Sequence, residues 1–170
     1  MSTITREELS YFAGLFDGEG NISILRLDKR AIANKEPYKL MVAVSNNVNV
    51  PLLKLRRIFG GGCRSYWPRH SRLHCNNLMW TWYAYGKIAG DSLSQIEPFL
   101  LIKQEQVHIG LLFAETLYWP RSGRWITKEA AQLRETCRTG LVTARQRKIS
   151  DNIPHSPRGE QPRDSLTSIV

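Results

Sequence analysis

Phe12-Ala13-Gly14-Leu15-Phe16-Asp17-Gly18-Glu19-Gly20 closes the first helix expected of this 170-residue chain. Upstream of it, Thr5 followed by Glu8 makes a capping box, and Leu9, Phe12, Ala13 and Phe16 recur at helical spacing, which predicts a helix from about Arg6 to Asp17. Gly14 and Gly18 fall on one side of that helix, where missing side chains let a second helix backbone come very close. A helix–helix seam through Phe12, Ala13, Gly14 and Gly18 is the natural use. Just beyond it Glu19 stands between two glycines, a poor place for a carboxylate that only meets solvent and a good one for a carboxylate that binds a cation. Two copies of the helix paired about a two-fold axis bring two such carboxylates together, which is unfavourable unless a divalent ion lies between them. The plainer reading of Asp17-Gly18-Glu19-Gly20 by itself is a turn that ends a helix.

Working outward, Ile22 and Ile24 alternate with Asn21 and Ser23 as in a strand with one buried face. Tyr38 to Ser45 reads as its partner, with Leu40, Val42 and Val44 on one face and Lys39, Met41 and Ala43 on the other, connected through the polar Asn34-Lys35-Glu36-Pro37 link. Pro51 opens a short amphipathic helix through Leu52, Leu55 and Phe59, stopped by Gly60-Gly61-Gly62. Cys63 to Pro68 and Leu78 to Tyr85 form a second hairpin in which Trp80 and Trp82 share a face that must be buried, so both are read as core rather than as base-stacking residues. Gly86 to Glu97 is helical, Pro98 opens a further helix to about Tyr118, and Thr127 caps a last helix with Ala130, Leu133, Cys137, Leu141 and Ala144 on one stripe. The class is α+β, in the order helix, two strands, helix, two strands, helices. Residues 1–149 make one domain, and 150–170, rich in Pro, Ser, Arg and Asp, is a flexible tail. No internal repeat is evident.

A net charge of +9 and a sequence pI near 9.8 make a polyanion the first partner to consider, nucleic acid ahead of an anionic membrane. No apolar run is long enough to span a bilayer, and Thr5-Arg6-Glu7-Glu8 does not resemble the start of a secretion signal. The expected location is the cytoplasm, with the nucleoid, or the matrix of an organelle that encodes the protein. Cys63, Cys75 and Cys137 are an odd set at irregular spacing and describe no disulfide framework. His70, His74 and Cys75, with Cys63 upstream, raise a zinc site, but the paired short spacings of structural zinc motifs are missing. The plainer account is a polar loop in which Arg69, His70, Arg72 and His74 meet phosphates.

The nonapeptide closely resembles the LAGLIDADG motif of homing endonucleases, with Phe12 at its first position and Glu19 in place of the final Asp. The resemblance runs from about Thr5 to Tyr118. It implies an αββαββα fold whose four-stranded antiparallel sheet saddles double-stranded DNA, and an enzyme that hydrolyses phosphodiester bonds with Mg²⁺ or Mn²⁺. One motif copy provides one catalytic carboxylate per chain, so the resemblance implies a homodimer acting on a long, near-palindromic site, as in intron or intein homing. By the same likeness Glu19 and the Gly18 carbonyl hold the metal, Asn46 orients the attacking water, and Lys103, in Pro98-Phe99-Leu100-Leu101-Ile102-Lys103-Gln104, reaches back to the reacting phosphate. Asp17 is expected to accept backbone hydrogen bonds rather than bind metal. Ser23, Arg26, Lys39, Arg64 and Arg69 are the candidates for reading DNA, although a bulge near Leu25 to Leu27 would exchange the faces. The arginine that some family members carry just after the second strand has no counterpart, since Val48 and Val50 occupy the nearest positions; Arg56 and Arg57 are substitutes. The alternative on the same scaffold is a non-cleaving maturase that binds intron RNA, or a DNA-binding regulator.

Overall fold

A computed structural model describes residues 4–27, 38–68, 77–118 and 126–151. Helix α1 (Arg6–Glu19) leads into strand β1 (Gly20–Arg26), and β2 (Tyr38–Asn46), α2 (Val50–Phe59), β3 (Gly62–Tyr66) and β4 (Met79–Tyr85) follow. Among the described residues three helices follow: α3 (Gly86–Ile96), α4 (Gln104–Glu115) and α5 (Lys128–Asp151), with single 3₁₀ turns at Glu97–Phe99 and Thr116–Tyr118. The strands form one antiparallel sheet in the order β1-β2-β4-β3. The α+β class and the αββαββα order are those the alternation and capping signals predict.

Local chemistry explains the elements. Thr5 Oγ1 accepts the Glu8 amide while Glu8 accepts the Thr5 amide, satisfying two donors that a helix start otherwise leaves bare. The same Glu8 carboxylate meets Lys54 Nζ at 2.6 Å, which ties α2 to α1. Along β1 and β2, Ile22, Ile24, Leu40, Val42 and Val44 turn to one side and join Phe12, Phe16, Leu52, Trp82, Leu93 and Phe113 in a single core. Trp82 is buried there and donates its indole N–H to the Gly60 carbonyl, so it is a core residue as expected. Gly60 and Gly61 both take φ +83°, a left-handed conformation that suits glycine at the α2–β3 turn. Arg134, also buried, reaches from α5 to the Thr116 hydroxyl and carbonyl at 2.8 Å each and pins α5 to the end of α4.

In its helices the structure departs from the sequence reading at Pro98 and at the end of the last helix. Pro98 does not open a long helix: it lies in the Glu97–Phe99 turn, residues 100–103 are irregular, and α4 starts only at Gln104. The cause is Asp17, whose carboxylate accepts the backbone N–H groups of Leu101, Ile102 and Lys103 at 2.8, 3.1 and 2.9 Å. The last helix also runs past the expected domain limit to Asp151; beyond that residue the expected tail lies outside the described residues.

Candidate active site and nucleic-acid interface

The end of α1 is built by a glycine. At Gly20 an added Cβ would run into the Phe16 ring and carbonyl, so only glycine lets the chain leave the helix there and enter β1 directly. That exit presents two carbonyl oxygens, of Phe16 and Gly20, to the Lys103 ammonium, which binds them at 2.9 and 2.7 Å. The helix dipole contributes partial negative charge at this end and favours a cation. Glu19, one residue before Gly20, is exposed with no donor bound to it among the described residues. Gly18, in the last turn, keeps a carbonyl without an intrahelical partner.

Asp17 sits opposite in character. Buried at 9% exposure, it is fully used in collecting the three amides of residues 101–103, so it sets the backbone from which Lys103 reaches back. The sequence reading expects backbone acceptance by Asp17; the structure adds that the donors come from the same chain, in the segment that carries the lysine. Asn46 ends β2, two residues beyond Val44, the partner of Gly20. Its Oδ1 accepts the Val48 amide at 2.9 Å, so the turn takes its acceptor and leaves the amide N–H₂ for other contacts.

A carboxylate and a carbonyl are hard oxygen donors of the kind Mg²⁺ takes, but two are too few for its octahedron. Among the described residues no three His, Cys, Asp or Glu side chains converge, and a second copy plus phosphate oxygens would have to complete the set. Cys63 lies in β3 with burial pushing its thiol pKa up, whereas His70, His74 and Cys75 of the zinc reading lie outside the described residues.

The four residues expected at a helix seam divide. Phe12 and Ala13, at 2% and 0% exposure, are packed in the chain's own core and are removed from any outer surface. Gly14 and Gly18 are exposed, and a Cβ added at either meets nothing within 4 Å among the described residues. With Glu7 and Tyr11 they form the outward line of α1, at spacings of four, three and four.

Among the described residues the sheet's second face carries no helix of the core. Ser23, Lys39 and Arg64, three of the candidates named from the sequence, lie on it. Arg26 does not. The β1–β2 register runs unbroken from Gly20↔Val44 to Arg26↔Tyr38, so the bulge that would have turned Arg26 outward is missing and it faces the helix side, near Glu135 of α5. Arg69 lies outside the described residues. On the open face Lys39 Nζ stands 3.9 Å above the Tyr85 ring, Arg64 lies 5.7 Å from the Tyr83 ring, and the two tyrosine rings are 5.6 Å apart. The tyrosines were missed as site residues, although their alternation with Trp80 and Trp82 already places them on the other face. Arg145 was missed too: from α5 its Nη2 donates to Asn21 Oδ1 at 2.9 Å and Ser23 Oγ at 3.1 Å.

Solved structures with this fold are LAGLIDADG homing endonucleases. The homing endonuclease I-CvuI, solved with the I-CreI target in the presence of Mg, is 18% identical with a TM-score of 0.59, covering 88% of this chain and 98% of that one. The archaeal intron-encoded I-Vdi141I, complexed with DNA, is 13% identical with a TM-score of 0.60 and covers 81% and 84%. The homing endonuclease I-TnaI is 15% identical with a TM-score of 0.54 and covers 89% and 99%. No protein-family model matches the chain, and no curated protein matches it.

Proposed function

We propose that the chain is a divalent-metal-dependent endonuclease that, as a homodimer, cuts both strands of a long, near-palindromic DNA target in intron- or intein-type homing. The observation that carries this reading is the Lys103 ammonium held on the Phe16 and Gly20 carbonyls, with the unpartnered Glu19 carboxylate between them in sequence. A cation and a metal-binding acid at one helix end are what hydrolysis of a phosphodiester requires. Glu19 and the Gly18 carbonyl would hold Mg²⁺ or Mn²⁺, which would supply activation of water and neutralisation of phosphate charge. Lys103 offsets negative charge on the reacting phosphate, and the Asn46 amide N–H₂ orients a water or phosphate oxygen. Among the described residues nothing requires glycine at Gly14 or Gly18, and the close approach of a second α1 provides a reason. That pairing brings the second carboxylate, and Ser23, Lys39 and Arg64 on the open sheet face meet the duplex.

The test is cleavage by purified protein with Mg²⁺ of its own gene locus, joined without the intervening element. Discrete double-strand cuts that vanish in Glu19→Gln, with DNA binding retained, support the reading. Binding of intron RNA with no cuts would favour a maturase on the same scaffold, and duplex binding without cuts a regulator.

A further inference from the structure

We infer that Arg145 is a fixed DNA-phosphate contact, supplied by α5 across the edge of the sheet; this rests on the proposed DNA-binding reading. The observation is positional. β1 is an outer strand, and Asn21 and Ser23 point from it to the open face. Arg145 enters from a helix that packs on the other side, passes the β1 edge, and is held on that face by both residues. Both bonds come from one nitrogen, Nη2, so Nε and Nη1 are engaged by neither acceptor, and a guanidinium has five N–H donors to place. Asn21 and Ser23 are neutral. Burial draws the Arg145 pKa below the ordinary arginine value, which means the cation is partly stripped of water by neighbours that return no charge. An anion at this spot would complete it.

The width of the sheet indicates which part of the duplex that anion belongs to. Three strand spacings give a face about 14 Å across, while the major groove is about 12 Å wide. The outer margins of β1 and β3 then lie nearest the groove walls, where phosphates run, with the face between them over base edges. A guanidinium held at the β1 margin meets the backbone, and the paired bonds to Asn21 and Ser23 fix it there before DNA arrives, lowering the ordering cost of the contact. Asn21 is two residues from Glu19, so the contact falls close to the proposed reacting phosphate rather than at the far end of the strand. Neither Arg56 nor Arg57, both exposed on α2, has such a clamp among the described residues.

A phosphate contact releases counterions, and a brace between α5 and β1 does not. The probe is a mixed-sequence duplex, to which base readout contributes little, with affinity measured across a salt series. Arg145→Gln keeps an amide donor for Asn21 and Ser23 but loses the charge. It should reduce the steepness of log affinity against log salt by about 0.9 for each chain bound and weaken binding about 8-fold per chain at about 0.1 M salt. Arg145→Lys, which keeps the charge, should retain the wild-type steepness. An unchanged slope in Arg145→Gln, whether or not its thermal midpoint falls, would overturn the assignment and leave Arg145 a structural brace. Wild-type protein with no salt-dependent affinity for the duplex would overturn the DNA-binding reading as well, which separates the two failures.

Discussion

Gly14→Leu has opposite expected effects on one chain and on two. Within a chain the new side chain is unopposed, because a Cβ at Gly14 meets nothing within 4 Å among the described residues and the backbone is ordinary helix. Exchanging Gly for Leu in a helix interior gains about 0.7 kcal/mol, which raises the midpoint of a domain this size by about 2 °C. Across a two-fold seam each copy inserts its leucine where backbones should touch. Overpacking costs about 1–3 kcal/mol per insertion and so about 2–6 kcal/mol for the pair, raising the dimer dissociation constant by about 30-fold or more. Light scattering over a concentration series reads the association, and thermal unfolding of dilute monomer reads the chain. An unchanged dissociation constant would show that α1 does not form the seam. A lowered midpoint in dilute protein would show instead that this face is packed inside the chain.

Lys103→Met should leave the fold intact and lower cleavage about 100-fold or more, since it removes the only cation seated on the Phe16 and Gly20 carbonyls among the described residues; wild-type cleavage by this variant would contradict the site. Asp17→Asn replaces a charged acceptor of three amides with a group that presents N–H donors to N–H donors, at a cost of about 2–3 kcal/mol. Hydrogen exchange at residues 101–103 should accelerate in that variant, and unchanged protection there would refute the role. Glu135, gripped by Arg138 and accepting the Tyr38 hydroxyl at 2.5 Å, has its pKa lowered from 4.5 to about 2. Because the folded pKa lies below the unfolded one, its contribution is complete above about pH 4.5 and is lost as pH falls toward 2. Thermal midpoints should fall less steeply across that window in Glu135→Gln, and equal slopes would count against the network.

The parts legible in the sequence are those set by neighbours along the chain. Thr5 and Glu8 cap α1 because both partners lie within one turn, and Ile22 with Ile24, or Leu40 with Val42 and Val44, declare a buried face because side chains alternate every residue. Gly14, Gly18 and Glu19 could be singled out for the same reason, since a helix of known phase puts the two glycines on one line and the acid at its end. Phe12 and Ala13 were drawn into that line wrongly: the motif is contiguous in sequence, but successive helix residues are about 100° apart and these two point into the core.

Sequence by itself determined the order of elements, the face each strand buries and the helix end where acid and glycine meet, because periodicity and capping act over a few residues. The likeness carried by the nonapeptide already pointed Lys103 back to the site at α1; only the folded chain decided that a carboxylate at Asp17 makes the bend, by interrupting a helix 84 residues later. The fold likewise decided that Arg26 faces the helices and that Arg145 crosses to the opposite side of the sheet. These outcomes depend on register and on donors brought together from distant segments, and nothing in the local composition at 26, 103 or 145 specifies which partner a long cationic side chain will meet.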